Sequence, residues 1–367
     1  MRCFTLRSRH PVSVFTVALL AFTIFSMPAC GQVQETALSD GGMVSSQQWI
    51  ASQVGADVLA EGGNAVDAAI ATGFALAVTH PTAGNIGGGG FMVVRFPNGQ
   101  STTIDFREKA PLTAHPEMWL DENGDYSFEV HHRSHRAVGV PGTVAGFDKA
   151  HRLYGSSDWS DLVEPAVGLA SDGFVLSEAL AGSMARFVSG RASQYEATVA
   201  AFTNNGASYV AGDTWRQPDL GRTLERIRDD RSDGFYRGTT ARLIAAEMRR
   251  GNGLITEEDL YRYEARERTP ITGMYRGYEV ISMPPPSSGG VAIVTALNIL
   301  EEYDLSSMGH NSAQYLHHLA EAMRRAFRDR ATHLADADFV DVPTHHLTSK
   351  DYAAWLRRDL DPERASV

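Results

Sequence analysis

The amino-acid sequence predicts a mixed α+β fold, because a clear β-hairpin is flanked on both sides by helical patterns. Two strand-like segments, FMVVRF at 91–96 and STTIDF at 101–106, are joined by the turn residues Pro97-Asn98-Gly99. Apolar residues occupy both alternating faces of the first strand. We therefore expect the sheet to be covered on both sides.

The segment before the hairpin predicts one strand and two helices. GGMVS at 41–45 is predicted to be the first strand. A helix from Gln47 to about Glu61 should follow, with Ser46 as its cap and two glycines at its end. The segment AVDAAIATGFALAV at 65–78 is apolar or small nearly all round, so it predicts a second, buried helix.

The chain after the hairpin is predicted to be largely helical up to about residue 253. Short helical patterns occur at 145–154, 161–171, 222–229 and 241–250. The sequence contains no internal repeat and no low-complexity linker. This continuity favours one domain over two.

Two further helices are predicted near the end of the chain. A strand at 278–283 leads through PPPSSGG into a helix at 291–303, where Ser287 and Ser288 can cap the helix or donate to a bound anion. A longer helix is predicted at 312–333. It should bury one stripe and expose its histidines and arginines. The predicted buried stripe consists of Leu316, Leu319, Met323 and Phe327.

Composition limits the possible partners and sites. The chain has 367 residues, 43% of them hydrophobic, and a formal net charge of −11. This acidic balance argues against a nucleic-acid partner, which would require clustered positive charge. Cys3 and Cys30 are the only cysteines of the sequence. We therefore expect neither a disulfide framework nor a thiolate metal site in the mature domain.

The first forty residues predict export. Arg2, Arg7 and Arg9 precede an uncharged apolar run at 12–27, which is typical of a signal peptide. We assign residues 1–30 to the signal peptide and 31–40 to a short tether. Met27-Pro28-Ala29-Cys30 is an imperfect lipobox, whereas Ala29-Cys30-Gly31 fits ordinary cleavage. The protein is thus expected to be periplasmic or to be lipid-anchored through Cys30.

The segment from Asn85 to Pro111 is the strongest candidate for a binding site. Gly87–Gly90 form a four-glycine run whose backbone can approach a ligand closely. Arg107 follows the hairpin in the sequence DFREKAP, and its guanidinium can bind a carboxylate through two hydrogen bonds. An ion pair with Asp105 or Glu108 is the alternative. Spacing by itself leaves both interpretations open.

Other chemical motifs give no site. An acidic and histidine-rich cluster near the end of the chain fits turn formation better than a calcium loop or a zinc-protease helix. The glycine run leads into a strand, so it is not a dinucleotide-binding fingerprint. We therefore expect no metal and no cofactor. The residues of that cluster are Asp336, Asp338, Asp341, His345 and His346.

Several long motifs in the same order resemble the large-subunit region of the gamma-glutamyltransferases, a family of N-terminal-nucleophile hydrolases. The resemblance extends over nearly the whole chain after the signal peptide. The motifs are EGGNAVDAAIA from Glu61, HPTAGNIGGGGFMVV from His80, DFREKAP from Asp105, AVGVPGTVAGF from Ala137, GNGLITEEDL from Gly251, YRGYEVISMPPPSSGG from Tyr275 and AEAMRRAFRDR from Ala320.

The resemblance implies a four-layer αββα sandwich, made from a precursor that cleaves itself into a large and a small subunit. Residues 41–367 would be the large-subunit region, so the sandwich would be incomplete in this chain. Arg107 would bind the α-carboxylate of the γ-glutamyl group. The nucleophile would be the threonine that begins the small subunit, beyond Val367. Thr102-Thr103 and Thr239-Thr240 are poor substitutes, because cleavage there would cut a packed element.

The implied function is γ-glutamyl acyl transfer, or hydrolysis of glutathione and related γ-glutamyl compounds. Water, amino acids or peptides would accept the γ-glutamyl group, and the missing small subunit would be the protein partner. This chain alone would be inactive. Two alternatives stay open: a β-lactam side-chain acylase of the same family, and a non-catalytic γ-glutamyl-binding remnant.

Overall fold

The computed structural model describes residues 38–39 and 41–366. The chain divides into one unit that ends at Gly42 and a second that begins at Met43. In the first unit, the described part is a short segment in which the Gly41 amide donates to the Ser39 hydroxyl. The predicted signal peptide lies outside the described residues, as does the tether apart from residues 38–39. Among the residues that are described, none of the helices has the length and apolar character needed to span a membrane.

α-Helices are the commonest regular elements of the second unit. They are α1 (Trp49–Ala60), α2 (Ala65–Thr79), α3 (Phe128–Arg133), α4 (Thr143–Tyr154), α5 (Trp159–Ser171), α6 (Glu178–Ser189), α7 (Glu196–Ala201), α8 (Pro218–Asp230), α9 (Asp233–Tyr236), α10 (Gly238–Arg250), α11 (Glu257–Tyr261), α12 (Gly289–Leu300), α13 (Ala313–His333), α14 (Thr344–Leu347) and α15 (Lys350–Arg357).

The strands form small antiparallel sheets. One sheet has three strands in the order β1-β2-β7, and three others are two-stranded pairs, β3-β6, β4-β5 and β8-β9. The strands are β1 (Phe91–Arg95), β2 (Ser101–Asp105), β3 (Phe174–Val175), β4 (Thr203–Asn204), β5 (Ala207–Ser208), β6 (Thr214–Trp215), β7 (Arg266–Arg268), β8 (Ile271–Tyr275) and β9 (Tyr278–Ser282).

Helix α2 confirms the prediction of a buried helix. Asn64 accepts hydrogen bonds from the amides of Val66 and Asp67, and the Asp67 carboxylate accepts one from the Asn64 amide. This capping box satisfies amide groups that the helix itself leaves without partners. Most residues of α2 are buried in the main core, together with side chains of α4, α5 and α8.

The predicted hairpin is also confirmed. Phe91 pairs with Asp105 and Arg95 with Ser101, so every residue of β1 has a partner in β2. Gly99 adopts a φ of 86° in the turn, a conformation that other residues rarely adopt. Because β7 pairs with the other edge of β2, the strand that leads to Arg107 lies in the centre of its sheet.

The expectation that this sheet is covered on both sides is wrong for β1. Met92 and Val94 pack against the main core, but Phe91 and Val93 are 37% and 45% exposed. Within the described residues, the helices supply only one covering layer at this strand. Apolar residues on both faces of a strand indicate that both faces would be stable if buried. They do not show that another helix or sheet packs on each face.

The start of the second unit also differs from the prediction. Residues 41–45 form no strand, since no neighbouring strand pairs with them. The cap of α1 is Gln48 rather than Ser46, because the Gln48 side chain accepts a hydrogen bond of 2.6 Å from the Ile50 amide. The Ser46 hydroxyl instead contacts that of Ser52 at 2.8 Å.

Helix α13 buries the face that the sequence predicted to be exposed. Of the predicted buried stripe, Leu316, Met323 and Phe327 are 45–51% exposed, and Leu319 is partly buried against the smaller core. The buried face is polar, and it packs because its charges are paired: Arg325 contacts Glu321 at 2.6 Å. A smaller apolar core joins α12, α13 and α15. The buried residues of α13 are His318, Glu321, Ala322, Arg325, Ala326 and Asp329.

Candidate functional site

Arg107 lies just beyond the end of β2, where the chain leaves the buried sheet. Thr102 to Phe106 are buried, whereas Arg107 is exposed. A central strand with partners on both edges is a rigid support for the residue that follows it. The structure therefore presents the Arg107 side chain to solvent from a fixed piece of backbone.

The Arg107 guanidinium forms no ion pair within residues 38–39 and 41–366. Its nearest polar contact runs from Nη1 to the Pro286 carbonyl oxygen, at 3.5 Å. The alternative of an ion pair with Asp105 or Glu108 is thus not what the structure shows. The Asp105 carboxylate is occupied by other donors, namely the Arg107 backbone amide at 3.1 Å and the Arg268 Nε at 2.8 Å.

Arg268 links Asp105 to a second carboxylate. Its Nη1 and Nη2 contact Oδ1 and Oδ2 of Asp338, both at 2.9 Å, in a two-pronged arrangement. These hydrogen bonds from Arg268 lower the pKa of Asp338 and raise that of Arg268 itself. The network places Asp338, which the sequence suggested only as part of a turn-forming cluster, beside the Arg107 segment. Sequence reasoning missed both Arg268 and this role of Asp338.

The carbonyl group of Arg107 is fixed by a half-buried tyrosine. Tyr263 Oη donates a hydrogen bond of 2.8 Å to this carbonyl. Burial raises the pKa of Tyr263, so the hydroxyl keeps the proton it donates. The Tyr263 ring stacks on Tyr236, with centroids 5.6 Å apart, and the Tyr236 hydroxyl donates to the Pro141 carbonyl. Arg107 is thus held at both its backbone amide and its carbonyl.

The glycine run lies against the backbone of this same segment. A Cβ on Gly89 would lie 2.5 Å from the Phe106 carbonyl oxygen and 2.7 Å from the Glu108 nitrogen. Gly90 and Phe106 exchange backbone hydrogen bonds of 3.1 and 3.2 Å. None of the residues Gly87–Gly90 has a positive φ. Gly89 is therefore required by close packing under Arg107, whereas the sequence had suggested that the glycine run approaches a ligand closely.

The proline-rich loop before α12 faces the Arg107 side chain. Pro286 accepts the long contact from Arg107, and Ser288 accepts a hydrogen bond of 2.9 Å from Arg330 Nε on α13. Ser288 stands at the N-cap position but its side chain caps no amide, and Ser287 accepts a bond of 3.3 Å from the Gly289 amide. Arg330 is a second cation that sequence reasoning did not assign to this loop, although it lies in the AEAMRRAFRDR motif.

Lys109 is not equivalent to Arg107, although both are cations of the DFREKAP motif. Its ammonium donates to the Glu264 carbonyl at 2.9 Å and lies 5.1 Å from the centre of the Tyr263 ring. Burial lowers the pKa of Lys109, and the nearby charge of Arg266 adds to this effect. These contacts tie Lys109 to the protein, whereas the Arg107 guanidinium makes only the long contact to Pro286 among the described residues.

The threonine pairs inside the chain have structural roles. Thr102 and Thr103 are buried in β2, where their hydroxyls donate to Glu267 and to the Arg268 carbonyl at 2.6 and 2.8 Å. Thr240 is buried in α10 and donates to the Gly234 carbonyl at 2.7 Å. These contacts support the view that neither pair is a nucleophile.

The acidic and histidine-rich segment does not form a metal site in the described part of the chain. No group of three or more histidine, cysteine, aspartate or glutamate side chains that could hold an ion occurs there. Asp338 instead pairs with Arg268 and with Arg266, the latter at 3.0 Å. The Asp336 carboxylate accepts a hydrogen bond from the Asp338 amide, as expected for a turn.

Comparison with known proteins identifies the family. Residues 51–367 match the family model described as gamma-glutamyltranspeptidase. The chain belongs to this family. It is 50% identical over 324 residues to the glutathione hydrolase proenzyme of Escherichia coli (strain K12), a match that covers 88% of this chain and 56% of that relative. The chain thus spans little more than half of the relative's length.

Two further comparisons extend this result. The crystal structure of Helicobacter pylori gamma-glutamyltranspeptidase matches with a TM-score of 0.88 and 42% identity, covering 90% of this chain and 95% of that chain. The acylase ACY 1 proenzyme of Pseudomonas sp. (strain SE83) is 37% identical over 362 residues, covering 97% of this chain and 63% of that protein. The structural match confirms the predicted N-terminal-nucleophile hydrolase type of fold, of the α+β class.

Proposed function

We propose that this chain provides the carboxylate-binding half of a gamma-glutamyltranspeptidase active site. The observation that carries this proposal is the Arg107 guanidinium, which is exposed, fixed at its backbone and not paired with a carboxylate in the described residues. The ligand would be the α-carboxylate of a γ-glutamyl compound such as glutathione. A charge-assisted contact of this kind contributes about 1.5–3 kcal/mol.

The chemistry would be acyl transfer. The threonine oxygen would attack the γ-glutamyl carbonyl carbon, the amide C–N bond would break, and the threonine proton would pass to the leaving nitrogen of the amine or peptide. Water, an amino acid or a peptide would then attack the resulting ester, take the acyl group and return a proton to the threonine oxygen. We propose that this threonine begins a small subunit encoded outside residues 1–367. Residues 41–367 would form the large subunit, and this chain would have no turnover by itself.

The proposal is tested by comparing this chain with the complete polypeptide, which includes the region that relatives carry beyond it. We expect the complete polypeptide to release nitroaniline from γ-glutamyl p-nitroanilide and this chain to release none. A reading frame downstream of the Val367 codon that encodes a threonine-led strand would support this proposal. Turnover by this chain alone would contradict the division of the site that we propose.

An acylase is the second candidate, since the ACY 1 acylase is similar over nearly the whole chain. A glutaryl amide keeps the carboxylate of a γ-glutamyl amide and lacks only its α-amino group. Faster hydrolysis of the glutaryl amide would therefore identify an acylase. Glutamate binding by calorimetry in the absence of any turnover by the complete polypeptide would instead indicate a non-catalytic binding protein.

Arg107 itself is tested with a second substrate pair. We define the carboxylate preference as the ratio of kcat/KM for γ-glutamyl p-nitroanilide to kcat/KM for 4-aminobutyryl p-nitroanilide, which lacks the α-carboxylate. If Arg107 binds this carboxylate, the complete polypeptide should show a large preference. The preference should fall sharply when the guanidinium is removed.

We also propose that the protein is exported, with the segment 1–30 as its signal peptide. The support is the arginine-flanked apolar run of that segment. Cell fractionation should place the protein in the periplasm or, if Cys30 is lipidated, in the membrane fraction. In the second case a Cys30→Ser change should release it. A cytoplasmic protein of unreduced length would contradict the proposal.

A further inference from the structure

Asp105 is a potential competitor for Arg107. The two residues are separated by a single position, and the Asp105 carboxylate is buried, with only 8% of the residue exposed. A buried anion attracts a nearby guanidinium more strongly than an exposed one, because water screens the charges less. A protein that uses Arg107 to bind a substrate carboxylate must therefore keep Asp105 from taking its place.

Arg268 occupies Asp105 in the structure. Strand β7 pairs with β2 so that Arg266 stands opposite Asp105 and Arg268 opposite Thr103. Arg268 nevertheless reaches diagonally to Asp105, where its Nε contacts Oδ2 at 2.8 Å. The other oxygen, Oδ1, accepts the Arg107 amide. Both carboxylate oxygens are thus engaged, and neither engages the Arg107 guanidinium.

Asp338 holds Arg268 in the orientation that this contact requires. The two-pronged contact fixes the plane of the guanidinium and leaves Nε directed at Asp105. Arg266 also contacts Asp338, at 3.0 Å, but forms no ion pair with Asp105. Arg268 contacts both carboxylates and Arg266 contacts Asp338, whereas the Arg107 guanidinium contacts neither.

We propose that Arg268 is a positioning residue that keeps Arg107 available for the substrate carboxylate by occupying Asp105. This inference rests on the proposed function of Arg107. Without Arg268, Asp105 would pair with the Arg107 guanidinium, and the substrate carboxylate would have to displace it. The loss should fall on substrates that carry the α-carboxylate and spare those that lack it.

The test measures the carboxylate preference in variants of the complete polypeptide. Arg268→Gln should lower it about 10-fold, since a charge-assisted contact is weakened. The double change Asp105→Asn with Arg268→Gln removes the competing anion and should restore the preference to within about threefold of the original. Arg95→Gln is the matched control, because Arg95 lies on β1 of the same sheet and forms an exposed ion pair with Glu279, outside the network of Asp105 and Asp338. It should leave the preference unchanged.

Each outcome separates this inference from a purely structural role and from the proposed function. Equal losses with both substrates in Arg268→Gln, or no recovery in the double variant, would overturn the inference. If Arg268→Gln does not fold, the double variant provides the test, because it leaves no unpaired charge at position 105. Loss of the carboxylate preference in the double variant would then overturn the inference. An Arg107→Gln variant that keeps the full preference would overturn the proposed function instead.

Discussion

Two arginine-centred networks in this molecule share the same chemistry but differ in their surroundings. Arg268 joins Asp105 to Asp338 beside the exposed Arg107. Arg325 joins Glu321 to Asp359 on the buried face of α13. In both networks one guanidinium holds two carboxylates. The first lies beside Arg107, whose backbone amide and carbonyl are both hydrogen-bonded and whose guanidinium forms no ion pair within the described residues.

The difference separates a network inside the fold from one that lies beside a proposed binding site. The Arg325 side chain is 3% exposed and also donates to the Leu356 carbonyl. Its guanidinium therefore binds only groups of the protein itself. The Arg268 side chain is 15% exposed and lies at the edge of an open site. Removing one partner of a buried ion pair is expected to lower stability. An exposed arginine without an ion-pair partner is instead a candidate for binding a ligand.

The largest effect is expected at the structural network. Arg325→Ala would leave Glu321 buried without its partner, and we expect it to lower the free energy of unfolding by about 3–5 kcal/mol. Urea denaturation of the purified chain measures this effect. Arg222→Ala on α8 is the control, because the side chains of Arg222 and its partner Asp219 are 59% and 93% exposed, and it should change stability by less than about 1 kcal/mol. Equal effects of the two changes would contradict the comparison.

A pH dependence should follow from Glu321. Burial would raise its pKa, but hydrogen bonds from Ser366 and Arg325 outweigh this effect and lower it from 4.5 to about 2. Because the folded pKa is the lower one, the stabilisation is present above pH 4.5 and is lost as the pH falls towards 2.

Urea denaturation between pH 7 and pH 2.5 measures this loss. The wild type should lose on the order of 3 kcal/mol of unfolding free energy from this group, and Glu321→Gln should lose correspondingly less. Parallel pH profiles for the two proteins would show that Glu321 is not held ionised by the network.

An intermediate effect is expected under Arg107. Gly89→Ala would press a methyl group against the backbone of Phe106 and Glu108, which cannot move without shifting Arg107. We expect a cost of about 1–3 kcal/mol in stability and a higher KM for γ-glutamyl substrates. Gly87→Ala is the control, because a Cβ there would meet nothing within 4 Å. A Gly89→Ala protein that matches this control would refute the close packing.

The smallest effect is expected at Tyr263. Tyr263→Phe removes the hydroxyl that donates to the Arg107 carbonyl and keeps the stacked ring. We expect kcat/KM for γ-glutamyl p-nitroanilide to fall, mainly because KM rises. The fall should correspond to a loss of about 0.5–1.5 kcal/mol of transition-state stabilisation. Circular dichroism and the melting temperature serve as controls for the fold. A fall in kcat with unchanged KM would contradict a role in positioning Arg107.

Local patterns in the sequence predicted much of the site. The hairpin, its turn at Gly99 and the position of Arg107 after β2 were all found from residue order. These features depend on neighbours along the chain. The contact between Arg268 and Asp105 spans 163 residues, and that between Arg268 and Asp338 spans 70, so no local pattern indicates them.

Helix α13 shows a second limit of sequence reasoning. Its apolar residues Leu316, Met323 and Phe327 predicted the buried face, but the structure buries the paired charges of Glu321 and Arg325. A hydrophobic stripe predicts the buried face of a helix on the assumption that the charged face stays in water. Here the charged residues form ion pairs and can be buried. These ion pairs involve residues distant in sequence, such as Asp359, so the sequence of the helix does not indicate them.

The most direct test of the central claim is the carboxylate preference of the complete polypeptide before and after Arg107→Gln. If Arg107 binds the α-carboxylate, the change should lower kcat/KM for γ-glutamyl p-nitroanilide about 10- to 100-fold and leave that for 4-aminobutyryl p-nitroanilide nearly unchanged. Equal losses with the two substrates, or no loss with either, would contradict the claim.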